Sequence, residues 1–338
     1  MASSRELPPA SMRAVVVRAP GGSEQLDLGQ VAAPTLSAGS VEIEVKACAL
    51  NRVDLLQRRG VYPPPPGASQ ILGLECAGLV RGLGAGVSGV PLGSRVMALL
   101  AGGGYAERAV VAAEHLMAIP AGLSFAEAAA IPEAFLTASE ALFSLGRLAT
   151  GDVVLNHAGA SGVGSAAVQL AKLCGARVIA CAGTPEKVEW LRALGADTGV
   201  NHRQEDFAAV CREQTEGRGV DVIVDFVGGA YFERHQTCLA DAGRWVIVGL
   251  LGGAQGKLDL GAVLRRRWQL LGLVMRSRSA ADKAAVVAAF ARRFLPEFES
   301  GRLRPLVDRV YPWSEVRAAH ERMEQNANLG KIVLEVSR

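Results

Sequence analysis

The stretch Val153-Val154-Leu155-Asn156-His157-Ala158-Gly159-Ala160-Ser161-Gly162-Val163-Gly164 has the residue types that grip a pyrophosphate. An aliphatic strand runs into a glycine-rich turn, and the turn opens a helix. Glycines let the backbone bend tightly and approach the phosphates, while the helix N-terminus offers free N–H groups and the positive end of its dipole. The spacing is looser than a strict GxGxxG. Such a turn also serves plain helix–strand packing, but within a βαβ unit it points to a dinucleotide. Ala158, Gly159, Ser161, Gly162, Val163 and Gly164 are the candidate contacts.

The next strand bears on which dinucleotide. An NAD site ordinarily carries Asp or Glu at the end of this strand, on the ribose 2′-hydroxyl. Ile179-Ala180-Cys181-Ala182-Gly183-Thr184 holds no carboxylate. Gly183 and Thr184 are small, Lys187 follows closely, and His202-Arg203 come after the next strand. Small residues with nearby cations suit a 2′-phosphate, so the sequence predicts NADPH. Lys and Arg also commonly lie on solvated faces. Two further glycine turns, at Gly228 after Asp225 and at Gly249-Leu250 after Val248, end strands at the edge where open α/β sheets bind ligands.

No metal cluster or Ser–His–Asp arrangement is readable. Cys48, Cys76, Cys174, Cys181, Cys211 and Cys238 form no C-x-x-C pair. Their apolar neighbours predict buried free thiols, not disulfides or structural zinc. His115, His157, His235 and His320 lie in unrelated contexts and are predicted to be structural.

These residues need two kinds of scaffold. The first third looks β-rich, with strands at Arg13 to Arg18 and Val41 to Ala47 and many glycines, as in a compact barrel-like domain. Helical periodicity begins at Pro132 and runs to Leu148. Strands then alternate with helices: strand Val153 to Asn156, helix Val163 to Leu173, strand Arg177 to Ala180, helix Pro185 to Leu194. Further strands are predicted at Gly199 to Asn201, Val220 to Asp225, Arg244 to Val248 and Gln269 to Val274. That alternation predicts a parallel sheet with right-handed crossovers. A helix near Ala281 to Glu299 and a strand-rich tail follow, the tail returning to complete the first domain. A chain of 338 residues, half of them hydrophobic, has the material for two packed domains. A net charge of +3 is too small to imply a polyanionic partner. No apolar run reaches the roughly 18 residues of a membrane helix. Residues 1–11 lack an apolar signal core and read as a flexible extension, which points to the cytosol.

Several segments together carry a family likeness. They are Ala49-Leu50-Asn51-Arg52-Val53-Asp54, Leu72 to Gly78, Ala158 to Gly164, Ile131-Pro132-Glu133-Ala134, Asp308 to Pro312 and Asn328 to Leu334. They resemble the zinc-free quinone oxidoreductase branch of the medium-chain dehydrogenase/reductase superfamily, with zeta-crystallin a more distant relative. The likeness covers nearly the whole chain from Met12. It implies an α/β protein with a GroES-like β-rich catalytic domain, residues 12–135 and 276–338. A Rossmann doubly wound parallel sheet, residues 136–275, would bind NADPH. By the same resemblance Asn51 and Asp54 border the active site, and Asn51 lies near the nicotinamide. Tyr62 covers the substrate cleft, Thr137 contacts the carboxamide, and Ser161 sits beside the cofactor. Asn51, Asp54, Tyr62 and Ser161 are thus the candidate catalytic residues. Lys187 matches a family lysine on the 2′-phosphate, whereas His202 departs from the family's tyrosine. Arg276, Ser277, Asn328 and Lys331 match late-chain cofactor contacts. Zinc-holding relatives carry Cys at the place of Asn51 and His at the place of Leu74. Their four-cysteine lobe has no counterpart between Leu79 and His115, so no metal is expected.

The activity implied is NADPH-dependent quinone reduction, giving semiquinones from ortho-quinones. Reduction of an enal or enone is the rival, with Tyr62 as its acid. A role of another class, RNA binding or a crystallin-like structural one, would draw on Arg265-Arg266-Arg267. That run is short and lacks aromatic interleaving beyond Trp268. A homodimer is expected, because Trp268 to Val274 is too apolar for an uncovered sheet edge.

Overall fold

The computed structural model describes residues 11–337. The expected extension over residues 1–11 lies outside them, except that Ser11 already belongs to the first strand. Strands β1 (Ser11–Val17) and β2 (Leu26–Ala32) form an antiparallel hairpin. Next come β3 (Ser40–Ala49), α1 (Arg52–Arg58), β4 (Glu75–Leu83), β5 (Arg95–Leu99), β6 (Arg108–Ala112), β7 (Leu116–Ala118) and α2 (Phe125–Ala129). In β3 the side chains of Val41, Ile43 and Val45 are buried while Glu42, Glu44 and Lys46 are half-buried, the two-residue period of a strand with one face on a core. β4 and β6 flank it, both antiparallel.

The middle of the chain begins at α3 (Pro132–Ser139), which runs on into a π-helical turn, Glu140–Leu145. Pro132 opens α3, where its missing N–H costs nothing. There follow β8 (Val153–Asn156), α4 (Gly162–Leu173), β9 (Arg177–Ala182), α5 (Pro185–Ala193), β10 (Thr198–Asn201), α6 (Phe207–Gln214), β11 (Val220–Asp225), α7 (Phe232–Cys238), β12 (Leu239–Ile247), α8 (Leu260–Arg266) and β13 (Gln269–Gly272). The six strands make a parallel sheet in the order β10-β9-β8-β11-β12-β13. The order reverses between β8 and β11, and the crevice at that switch is where such sheets bind nucleotides. β13 is the sheet edge, as its late position predicts. It stops at Gly272, two residues short of the expected end, and β12 starts at Leu239, five residues early.

The last third adds α9 (Ala280–Glu299), β14 (Val307–Pro312), α10 (Val316–Glu324) and β15 (Lys331–Glu335). β15 pairs antiparallel with β3 and parallel with β14, so the tail does complete the first sheet, now of seven strands. Helix α10 interrupts what was expected to be strand-rich. Its buried Val316, Ala319, His320 and Met323 recur at helical spacing on one face. Along α9, Phe290, Phe294 and Phe298 fall four apart and share a face. Phe298 meets Phe135 of α3 at 4.8 Å between ring centroids, and Phe294 meets Phe143 at 5.4 Å. This aromatic seam fixes α3 between the two sheets. All six cysteines are free, and every one except Cys174 is buried. No helix of the described residues is long and apolar enough to cross a membrane.

Candidate functional site

The glycine turn after β8 is shaped by what its residues lack. A Cβ on Gly164 would overlap the Ala158 carbonyl oxygen and stand 2.8 Å from the Gly159 Cα. One on Gly162 would overlap the stem of Lys331, and one on Gly159 would lie 2.9 Å from Leu191. Ala158 takes a φ of 46°, uncommon for a residue with a side chain. Ser161 caps α4, its Oγ accepting the Gly164 N–H at 3.0 Å, and its hydroxyl proton remains to donate. Val163 is half-buried in the first turn of α4. The Gly330 N–H donates to the Ala160 carbonyl at 2.8 Å, so the turn is stitched to the loop before β15.

Beyond β9 the expected adenosine-side residues converge. Gly183 lies against His202 Nε2 and Arg203 Nε, 3.2 and 3.3 Å from where its Cβ would be. The Tyr231 hydroxyl and His202 Nδ1 are 2.9 Å apart. Thr184 caps α5 by accepting the Lys187 N–H. Lys187 Nζ is not free: it donates to the carbonyls of Asn326 (2.6 Å) and Asn328 (2.9 Å). Burial lowers its pKa first; the Asp308 carboxylate opposes this, and Arg322, Arg203 and Arg52 add to the lowering. Arg203 makes no ion pair among the described residues. This corner concentrates positive charge with no carboxylate at the end of β9, and it can hold an anion.

At the switch point Asp225 ties both later turns together. Its Oδ1 accepts from Gly228 N–H (3.0 Å) and its carbonyl from Gly249 N–H (3.1 Å). Leu250 beyond it is exposed. Asp225 also reaches two histidines expected to be unrelated. His235 Nδ1 lies 3.5 Å from its Oδ2, and His235 Nε2 lies 2.8 Å from His157 Nε2. All three are buried. Burial holds His235 down to about 3, so the pair is neutral and structural, as expected of each alone.

Across the crevice, α3 presents Thr137, buried, whose Oγ1 has no hydrogen-bond partner among the described residues. A buried orphan hydroxyl wants a ligand group. Asn51 caps α1 and is gripped from two sides. Its Nδ2 donates to Glu75 Oε1 at 2.8 Å, and its Oδ1 accepts from Lys331 Nζ at 2.7 Å. Arg276 is buried, its Nε on the Ala101 carbonyl (2.9 Å) and an Nη on Gln57 (2.6 Å). Its guanidinium lies 5.7 Å from the centre of the half-buried Tyr62 ring, and its Nη1 has no partner among the described residues. Ser277 beside it is exposed.

Two of the expected site residues have their side chains engaged within the fold. Asp54 was expected at the active-site border as a catalytic group. It is wholly buried, accepting from Asn51 N–H (2.7 Å), Gly73 N–H (3.1 Å) and the Tyr105 hydroxyl (3.2 Å). It braces α1, and burial raises its pKa to about 6. Lys331 was expected on the cofactor. Its ammonium is instead consumed by Glu75 Oε1 (2.6 Å), the Leu50 carbonyl (2.6 Å) and Asn51. Asn328 spends its side chain on the Gly330 carbonyl, and only its own carbonyl reaches Lys187. Sequence reasoning missed Glu75 and Glu133 as members of this junction. The Glu133 N–H donates to Glu75 Oε2 at 2.8 Å; an acid directly after a helix-opening proline was the signal. Among the described residues no three of His, Cys, Asp and Glu gather as a metal site, and Leu74 is buried apolar filling.

The pieces that fit a dinucleotide are thus a glycine cradle that side chains would fill, a cationic corner, and the buried Thr137 hydroxyl without a partner among the described residues. Residues 37–121 match the alcohol dehydrogenase GroES-like domain and residues 162–292 the zinc-binding dehydrogenase family. The positions of Asn51 and Leu74 lie outside the second match. Among solved structures, an NAD-dependent alcohol dehydrogenase is 36% identical with a TM-score of 0.84, over 96% of this chain and 100% of that one. The CurK enoyl reductase is 31% identical at 0.86, over 96% and 99%. A mycobacterial quinone oxidoreductase is 28% identical at 0.85, over 96% and 100%. A phenolphthiocerol/phthiocerol polyketide synthase of Mycobacterium tuberculosis is 32% identical over 94% of this chain, which spans only 14% of that protein. This chain therefore belongs to the medium-chain dehydrogenase/reductase superfamily, in its quinone oxidoreductase branch, whose members are oxidoreductases that bind a nicotinamide cofactor.

Proposed function

We propose that this chain uses NADPH to reduce quinones, ortho-quinones foremost, without zinc. The observation that carries the reading is Asn51, an amide locked between Lys331 and Glu75 where zinc-holding relatives place a cysteine ligand. Without a metal Lewis acid to polarise a carbonyl, an acceptor that is already electron-poor, as a quinone is, takes the hydride most readily. When bound, NADPH supplies the hydride. Gly159, Ser161, Gly162, Val163 and Gly164 receive its pyrophosphate, Thr137 its carboxamide, and Lys187 with Arg203 its 2′-phosphate. Tyr62, braced by Arg276, walls the acceptor cleft. The residue blocks 12–135 with 276–338, and 136–275, serve as the catalytic and cofactor domains. Cytosolic placement is part of the same reading, since buried free thiols stay reduced there.

Similarity to the CurK enoyl reductase favours a second reading, reduction of an activated alkene. Turnover of an ortho-quinone and an enal with NADPH, each with and without exhaustive chelation, separates them. We expect faster quinone turnover that survives chelation; activity that returns only with zinc defeats the metal-free reading.

Lys187→Ala is expected to weaken NADPH roughly 10- to 100-fold, the loss of a charge-assisted hydrogen bond, and to leave NADH nearly unchanged. Titration of cofactor fluorescence reads both, and an equal loss for both removes Lys187 from the 2′-phosphate. A homodimer through β13 fits the same picture. Leu250 and Leu251 after β12, Leu264 of α8 and Val274 just after β13 are 53%, 62%, 80% and 52% exposed, apolar surface that a partner would cover. Sedimentation at micromolar concentration decides it, with Leu271→Lys locating the interface.

A further inference from the structure

Glu133 sits at the start of α3, one turn before Thr137 and on the same helix face. As a residue it is half-buried, while Pro132 and the run from Ala134 to Ala138 around it are buried. The other acids near this junction are all engaged. Glu75 holds Lys331 and Asn51, Asp54 accepts three hydrogen bonds, and Glu140 holds Arg278 and Ser144. Among the described residues the Glu133 carboxyl has no hydrogen-bond or ion-pair partner; only its backbone N–H is taken, by Glu75. Charged groups face it from every element packed there: Glu75 of β4, Asp54 of α1, Lys331 of β15, Lys283 of α9, and Arg276.

Burial and the nearby Glu75 carboxylate push the Glu133 pKa up to about 8, while Lys331 and Lys283 pull it down. The dipole of α3 also favours the anion at this position, but by under about one pH unit in typical helices. The carboxyl therefore keeps its proton at neutral pH.

We propose that Glu133 is the acid that gives the reduced substrate its proton. The proposal rests on the reduction put forward above and adds the residue that completes it. The substrate takes a hydride, with two electrons, from the reduced nicotinamide. The Glu133 O–H bond breaks, its electron pair stays on the carboxylate, and the proton forms an O–H bond on a quinone oxygen or a C–H bond at the α-carbon of an activated alkene. A quinone thereby becomes a hydroquinone, and comproportionation with unreduced quinone then yields semiquinones. The carboxylate recovers its proton from water between turnovers.

The test uses the full chain, wild type, Glu133→Gln and Glu133→Asp. An infrared difference spectrum is expected to show a protonated carboxyl at neutral pH in wild type that is missing in Glu133→Gln. With an ortho-quinone or an enone, kcat of Glu133→Gln is expected to fall about 100-fold or more. KM and NADPH affinity should move little, and Glu133→Asp should recover part of the rate. Wild-type kcat is expected to fall roughly tenfold per pH unit above about 8. An undiminished Glu133→Gln, or a wild-type rate flat from pH 7 to 9, overturns the assignment while leaving the reductase reading intact. If wild type reduces none of these acceptors, the reductase reading fails and the proton-donor role with it. The infrared band then shows only where the proton resides. Should Glu133→Gln not fold, the wild-type pH profile and a solvent deuterium effect on kcat decide by themselves.

Discussion

Replacing Lys331 by methionine is expected to cost the fold about 3–5 kcal/mol. Lys331 and Glu75 are 4% and 0% exposed, with Nζ and Oε1 2.6 Å apart. Methionine keeps the apolar stem that packs on Gly162 and removes only the ammonium. Glu75 would then be a buried carboxylate with two remaining donors, the Asn51 amide and the Glu133 N–H. An uncompensated buried charge costs far more than the pair contributes, so the loss reflects Glu75 more than Lys331. Denaturant unfolding of the single variant measures it. The double variant Lys331→Met with Glu75→Leu should regain most of the loss, because replacing both partners by apolar groups is often neutral. A single-variant loss below about 1 kcal/mol, or a double variant worse than the single, would show that the pair does not hold this junction. Asn51 also loses its acceptor-side anchor, so activity is expected to fall further than stability alone explains.

Gly164→Ala is expected to cost about 1–3 kcal/mol at the cofactor turn, lowering NADPH affinity roughly 10- to 100-fold. The obstacle is backbone: the added methyl would overlap the Ala158 carbonyl and crowd the Gly159 Cα at 2.8 Å. No side-chain rotation relieves that, so the start of α4 must move away from the turn that receives the pyrophosphate. Asn156 Nδ2, which donates to the Gly164 carbonyl at 2.9 Å, would be dragged with it. Gly272 is the control, since a Cβ there meets nothing within 4 Å. Equal cofactor affinity in Gly164→Ala and Gly272→Ala would mean that this close approach plays no part in binding.

The local signals are legible in the chain itself. Strands β8 and β11 run over the residues that their aliphatic stretches mark, Val153–Asn156 and Val220–Asp225. The helix after the glycine turn begins where Ser161 can cap it. Such features are written in neighbouring residues, because strand propensity, capping and glycine turns act over a few positions. The presence of Asn51 and Leu74 in place of a cysteine and a histidine is equally plain. Strand ends are less so: β12 begins at Leu239, where the turn-type residues Asp241 and Gly243 that follow hide the start.

Only the tertiary structure decided the junction. Lys331, Asn51, Glu75 and Glu133 come from four elements, and Lys331 lies 280 residues from the amide that it holds. No periodicity encodes that meeting; it exists because β15 returns to pair with β3 and α3 is clamped by the phenylalanines of α9. The same closure buried Asp54 against Asn51, Gly73 and Tyr105, and brought His157 against His235. It also left Glu133 as an acid without a partner among the described residues. The sequence determined which chemistry the chain can carry, since residue types and short spacings limit it. The packing determined which carboxyl is left buried beside other charges without a partner among the described residues, because burial and distance to other charges are properties of the closed fold.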